Sequence, residues 1–263
     1  MTIHPSAIVS SKAEIAESAE IGPFCVIGDN VKVGSNSVIG THTVIEGDTQ
    51  IGENCYIVHA SIGLPPQDLI CKGENTKVRI GNNVTIREFV TIHRGSEKGR
   101  GETTIKDGAF LMNYVHIGHD CMIDEEVIIA NGTNLAGHVH IHRKANLSAL
   151  FLAHQYTEVG ELAMLSGMSG ARKSVPPFVI AEGRPARIMR VNSIGLERAG
   201  FSTETIKEIG NAYRILKKED TKEVLRKLEE KSSDFPELMK IVDFYRNSQR
   251  GVIAFYSTKQ EHS

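Results

Sequence analysis

The charges of this 263-residue chain nearly cancel, Lys+Arg 30 against Asp+Glu 32, for a formal net charge of -2. No global field therefore draws it to nucleic acid or to an anionic membrane. Nowhere do eighteen apolar residues run unbroken, and the opening text MTIHPSAIVSSKAEI lacks a basic stretch followed by an apolar run. Neither a transmembrane segment nor a secretory leader is expected, and the chain reads as soluble and cytoplasmic. Cysteine is sparse, and Cys25, Cys55, Cys71 and Cys121 have neither paired metal spacing nor the pattern of a disulfide scaffold. Free cysteine usually behaves as a small buried hydrophobe, and that role is expected here.

What is present is a ruler. Stepping by six from Ile3 gives Val9, Ile15, Ile21, Ile27, Val33, Ile39, Ile45, Ile51 and Ile57, all β-branched. Four residues after each stands a small or β-branched residue, among them Ala19, Cys25, Ser37, Cys55 and Ser61. An amphipathic helix repeats near 3.6 residues and a half-buried strand every two, so neither produces this period. The phase resumes at Ile80, Ile86 and Ile92. It resumes again from Ile105 through Ile117, Ile123, Leu135, Ile141 and Leu147 to Ala171. The two breaks place one loop near 62–78 and another near 93–104. A hexapeptide period signals a parallel β-helix in which six residues make one face of a triangular coil and eighteen close a turn. The first and fifth positions of each unit point inward, which puts Cys25, Cys55 and Cys121 in the core.

After SVPPFVIAEGRPAR the pattern becomes helical. Ile206, Ile209, Tyr213 and Leu216 form one apolar stripe and Leu238, Ile241, Val242 and Tyr245 another. Asp220 with Glu223, and Asp234 with Glu237, read as capping boxes. The expected organisation is a β-helix over 1–190 and a small α-helical domain over 191–263.

Stacking by eighteen brings chemistry together. His119 lies under Gly137 and then Gln155, Asp120 lies under His138 and then Tyr156, and Gly118 lies under Ala136 and then His154. Adjacent coils are about 4.8 Å apart, the spacing of neighbouring strands. His119, Asp120, Gly137, His138, His154 and Gln155 therefore share one corner across three coils, the clustering that a site requires. The text HVHIH offers a competing reading, because His138, His140 and His142 point outward in alternation and trimeric carbonic anhydrases of hexapeptide type hold zinc with coil-corner histidines. Against it, the chain turns a corner here, so the rings need not converge.

QDL (67–69), REFVTIHRG (87–95), HIGHDC (116–121), LAGHV (135–139), AHQY (153–156), VPPFVIAEG (175–183) and LERAGFS (196–202) together resemble the acyl-[acyl-carrier-protein]–UDP-N-acetylglucosamine O-acyltransferase family over nearly the whole chain. The resemblance implies a left-handed coil and the first step of lipid A synthesis. In that reaction a 3-hydroxyacyl group moves from an acyl carrier protein thioester to a glucosamine 3-hydroxyl, with no cofactor or metal. It makes His119 the general base and the Gly137 N–H the oxyanion donor, with Asp120 supporting the imidazole. It places Asp68 and His138 at the sugar and Gln155 at donor or acceptor, with Gln67 among the substrate-binding residues. His116, Asn192 and Arg198 are placed at the nucleotide sugar or pantetheine, with His93 and His154 as further site residues. Gly167, stacked with Asn131 and Ala149, occupies the family's chain-length position, where glycine leaves room for a longer acyl chain. The site is expected between neighbouring subunits of a trimer. Two departures concern the acceptor. Ile70 stands where the family commonly has a phosphate-contacting lysine, leaving Lys72 as the expected substitute, and Arg198 is followed by Ala199 rather than a second arginine. A 3-amino sugar acceptor, a zinc-dependent hydratase and a β-helical scaffold without chemistry are the alternatives.

Overall fold

The chain forms a left-handed parallel β-helix followed by helices, in a computed structural model that describes residues 2–69, 71 and 75–257. Short strands build three sheets, of eleven, nine and eight strands, one on each face of the prism. The register follows the ruler: Thr2 pairs with Glu20, His116 with Asn134, and Met122 with His140. The aliphatic first positions fill the prism interior, with Ile39, Ile57, Ile86, Leu111 and Ile123 fully buried. Each such side chain contributes roughly 1.5–3 kcal/mol of transfer free energy. Cys25, Cys55 and Cys121 are buried among them as expected, and burial pushes the Cys121 thiol up to about 12.

Corners turn through left-handed backbone, including Asp120 (φ 61°), His138 (φ 63°) and Tyr156 (φ 62°). Such backbone costs a residue bearing a Cβ roughly 1–2 kcal/mol. Stacking up the corners offsets part of this: His138 lies on Tyr156 with ring centroids 4.3 Å apart, and Phe89 on Tyr114 at 4.8 Å. Such pairs contribute about 0.5–1.5 kcal/mol beyond their burial. Asn36 and Glu126 on a second corner, and Phe24 and Leu150 on the third, share the conformation, so the strain belongs to the architecture rather than to catalysis.

The first break in the ruler is tighter than its phase implied. After Ile57 the chain drops one residue at the His59 corner, and Ile62, five residues on, is buried and paired with both Ile45 and Ile92. Ala60 therefore occupies the inward place expected of Ser61, which is only half-buried. Strand Ser61–Leu64 continues the coil, so the first loop is confined to 65–76, and the second spans 94–101 between Thr91–His93 and Glu102–Ile105. Both loops rejoin in register: Tyr56 pairs with Thr85 and Thr85 with Phe110, offsets of 29 and 25 instead of 18.

An antiparallel hairpin, Val179–Gly183 with Ala186–Val191, closes the eleven-stranded sheet. Helices α1 (Ser193–Arg198), α2 (Thr203–Leu216), α3 (Thr221–Lys231) and α4 (Glu237–Asn247) follow. Asp220 caps α3 as expected, accepting from the Glu223 N–H at 3.1 Å. Asp234 does not cap α4. The N-cap position is taken by Pro236 (φ -56°, ψ -24°), whose side chain has no acceptor, and no side-chain cap forms. The predicted stripes face inward: Ile209, Tyr213, Leu216, Leu238, Ile241 and Val242 are buried, and the Tyr213 hydroxyl donates to Pro177 O at 2.6 Å, tying α2 to the β-helix. Among the described residues no helix is long and apolar enough to cross a membrane.

Candidate active site

His119 and Asp120 follow strand His116–Ile117 at a corner of the prism, directly below Gly137 and His138. The Asp120 carboxylate is fully buried yet well supplied with donors. Oδ1 accepts from the N–H groups of Ser96 at 3.0 Å and Gly101 at 3.1 Å, and Oδ2 from Ser96 Oγ at 2.6 Å. The second loop is thus clamped to the acid, whose own N–H donates to Thr103 Oγ1 at 2.8 Å. Burial alone would raise the Asp120 pKa, but hydrogen bonds from His119 and Ser96 outweigh it and hold the group below the usual carboxylate value.

An ionised carboxylate only accepts, and this fixes the tautomer of its neighbour. His119 Nδ1 lies 2.7 Å from Asp120 Oδ2, so Nδ1 carries the proton and Nε2 keeps its lone pair. The same bond raises the His119 pKa against the opposing effect of burial, with the Asp68 charge adding to the rise. Gly137 closes over the ring: a Cβ built there would lie 2.6 Å from His119 Nε2 and Cε1. Only glycine lets backbone and imidazole come this close. Among the described residues nothing accepts from the Gly137 N–H, which leaves it free to donate. His138 meets His119 edge-to-face with centroids 5.0 Å apart, and burial lowers its pKa.

A cavity of about 440 Å³ opens beside this pair, and six of the predicted residues line it: Gln67, His93, His116, His119, Gly137 and Gln155. His93 is buried because the first loop covers it, its Nδ1 2.6 Å from Pro65 O. His116 is held by Thr91 Oγ1 at 2.8 Å, and desolvation depresses its pKa. Asn134 and Leu152, one and two coils above His116, also line the cavity. The eighteen-residue stacking points to both, and they were missed because neither is a residue type that carries acid–base chemistry. Ser96 was missed for a different reason, since the loop that holds it lies off the ruler. Through Leu152 and Ala153 the cavity borders a second one of about 470 Å³, more apolar and reaching Gly170 and Arg184.

The other predicted residues stand outside the main cavity in the single chain. His154 is exposed, lines the second cavity and contacts Arg250 at 3.2 Å. Asn192 caps α1 by accepting from the Gly195 N–H at 3.1 Å, and donates to Leu162 O at 2.9 Å. Arg198 is exposed in the last turn of α1, and Gly167 is exposed beside Ala149 O on a neighbouring corner. Ile70 and Lys72 lie outside the described residues.

Among the described residues two groups of side chains converge closely enough to hold a metal ion: His119, Asp120 and His138, and separately Asp124, His140 and His142. HVHIH therefore divides, with His138 beside His119 while His140 and His142 meet on another face. In the first group Asp120 already accepts from four donors, the Ser96 N–H and Oγ, the Gly101 N–H and His119 Nδ1, which leaves its carboxylate no open position for a cation.

A buried carboxylate, an imidazole with a free Nε2, a backbone donor against its ring and an adjoining apolar cavity define an acyltransferase of hexapeptide-repeat architecture. Residues 12–47 and 102–137 match the bacterial transferase hexapeptide model (six repeats), and residues 175–253 match the model for UDP N-acetylglucosamine O-acyltransferase, domain 2. The chain is 47% identical over 253 residues to an acyl-[acyl-carrier-protein]–UDP-N-acetylglucosamine O-acyltransferase of Thermodesulfovibrio yellowstonii, covering 95% of this chain and 98% of that one. It is 48% identical over 258 residues to the enzyme of that name from Burkholderia orbicola, at the same coverage. The crystal structure of Francisella novicida UDP-N-acetylglucosamine acyltransferase superimposes with a TM-score of 0.94 at 39% identity, over 96% of this chain and 94% of that one. The chain belongs to the acyl-[acyl-carrier-protein]–UDP-N-acetylglucosamine O-acyltransferase family.

Proposed function

We propose that this chain transfers a 3-hydroxyacyl group from an acyl carrier protein thioester to the 3-hydroxyl of UDP-N-acetylglucosamine, the entry reaction of lipid A synthesis. The observation that carries the reading is the Asp120–His119 pair at 2.7 Å with Gly137 packed on the imidazole. His119 Nε2 takes the proton of the attacking hydroxyl, and the sugar oxygen adds to the thioester carbon. The resulting oxyanion is met by the Gly137 N–H. Collapse expels the pantetheine thiolate, which recovers a proton from the imidazolium, so the enzyme returns to its starting state. Asp120 stabilises the imidazolium formed between the two steps.

Gln67, Asp68 and His138 hold the sugar in this reading, and His116, Gln155, Asn192 and Arg198 serve the nucleotide or the donor arm. Lys72 supplies the phosphate contact that Ile70 lacks. The more apolar second cavity suits the acyl chain. Gln67, Asp68, Gln155 and His154 are all exposed in the single chain, which favours a site completed by a neighbouring subunit of a homotrimer. A soluble protein thioester and a nucleotide sugar as substrates support a cytoplasmic location for the reaction. The test is turnover of 3-hydroxyacyl carrier proteins of several lengths with UDP-N-acetylglucosamine, followed by mass spectrometry, with the trimer mass measured by light scattering. Absence of the O-acyl product, or an equal rate from His119→Ala, would overturn the assignment. Faster turnover of the 3-amino sugar in direct competition would reassign the acceptor.

A further inference from the structure

Asp124, His140 and His142 play no part in acyl transfer, yet they converge. His140 lies in the eight-stranded sheet, His142 follows two residues later, and Asp124 stands after strand Met122–Ile123 on the coil below. His140 Nε2 is 2.8 Å from Asp124 Oδ2, and His142 Nδ1 is 3.7 Å from the same oxygen. The two imidazole centroids are 3.7 Å apart.

A hydrogen bond accounts for the first contact but not for the second. His142 Nε2 lies 3.0 Å from Glu158 Oε2, which as an acceptor places the imidazole proton on Nε2. With that proton given to Glu158, His142 Nδ1 is left as an acceptor 3.7 Å from an Asp124 oxygen that also has only lone pairs to offer. Two acceptors facing each other call for a cation between them. The spacing suits one: zinc sits about 2.0–2.2 Å from imidazole nitrogen and carboxylate oxygen, so tetrahedral ligand atoms are about 3.3–3.5 Å apart. The observed 2.8 and 3.7 Å bracket that value, and rotamer shifts of a few tenths of an ångström would equalise them.

The surroundings have the form of an outer shell. Glu158 orients His142 as carboxylates orient zinc-bound histidines, and Lys106 Nζ holds the other Asp124 oxygen at 2.8 Å. The lysine charge also weakens cation binding, so micromolar rather than far tighter affinity is expected. Beside His142 a cavity of about 380 Å³ reaches Asp243 and Phe244 of α4, room for a water as fourth ligand. The Phe244 ring rests edge-on against His142 at 5.9 Å, so an ion that fixes this imidazole also fixes the seat of α4.

We propose that Asp124, His140 and His142 form a structural site for a first-row divalent cation, zinc by its donor set of two imidazoles and one carboxylate, separate from the acyl-transfer centre. The test is titration of the chelator-stripped full-length protein with Zn²⁺ by calorimetry and with Co²⁺ by visible absorption. One equivalent per chain is expected with a Kd of about 1–10 μM, with the intense d–d bands of tetrahedral cobalt and a Zn²⁺-dependent rise in Tm. His142→Ala and His140→Gln, checked for folding by circular dichroism, should abolish all three signals while leaving kcat unchanged. Glu158→Gln should weaken binding roughly 10- to 100-fold through the orienting contact alone. Binding in His119→Ala should match the wild type. No saturable binding up to about 1 mM, or binding lost in His119→Ala and kept in His142→Ala, would overturn the proposal.

Discussion

Two clusters of the same composition, one aspartate and two histidines, sit one sheet apart on this prism and do different things. At the catalytic corner Asp120 is filled by donors from Ser96, Gly101 and His119, so its charge is committed to holding one imidazole in one tautomer. On the neighbouring face Asp124 meets Lys106 through one oxygen and both imidazoles through the other. Burial opposes its ionisation, but hydrogen bonds from His140 and Lys106 lower its pKa to about 2. The residue types do not distinguish an acid–base pair from a cation site. The number of donors already on the carboxylate does.

The largest effect should come from pairing His119→Ala with His140→Ala. In the proposed mechanism the first removes the general base and should lower kcat on the order of 10²- to 10⁴-fold; the second should change it less than about twofold. Comparable losses in steady-state assays would erase the distinction between the clusters.

Asp120→Asn sharpens it through pH. Asp120 raises the His119 pKa, so with His119 as the proposed base wild-type activity should be lost as pH falls through that raised value. The asparagine variant should lose activity at a lower pH while its plateau rate falls by about 10- to 10³-fold. An unmoved acid limb of kcat/KM would mean that another group controls it. Gly137→Ala places a methyl group 2.6 Å from the His119 ring and should displace the imidazole, lowering kcat about tenfold with Tm nearly unchanged. A wild-type rate would show that the ring has room to yield. The smallest effect concerns selectivity. Gly167→Met should shift preference toward shorter acyl donors by about tenfold without a change in stability, read from competing donors of different length. Unchanged selectivity would detach Gly167 from the acyl path.

The core was legible because a β-helix writes its architecture as a period. Ile21 to Ile57, and Ile105 to Leu147, are buried where the ruler puts them, and His119 lies under Gly137 for the same reason. The ruler failed where the chain leaves the coil. A single skipped residue at His59 exchanged Ser61 for Ala60, and Ser96 clamps Asp120 from a loop that has no phase relation to it. Asn192 shows a different limit: its resemblance-based place at a substrate coexists with a cap on α1, and one sequence position does not reveal how a side chain divides its hydrogen bonds.

The two loops leave the coil and re-enter in register, with Tyr56 on Thr85 and Thr85 on Phe110. This restricts how such a chain can vary in length during evolution. Losing or gaining six residues in the coils between these loops and His119 would rotate everything downstream by one face of the prism, carrying His119 away from the loops that reach toward it. Eighteen would preserve the faces but move the site one storey along the axis. Residues added within 65–76 or 94–101 do neither. These two segments are therefore where substrate preference can drift while the stacked interior is inherited unchanged.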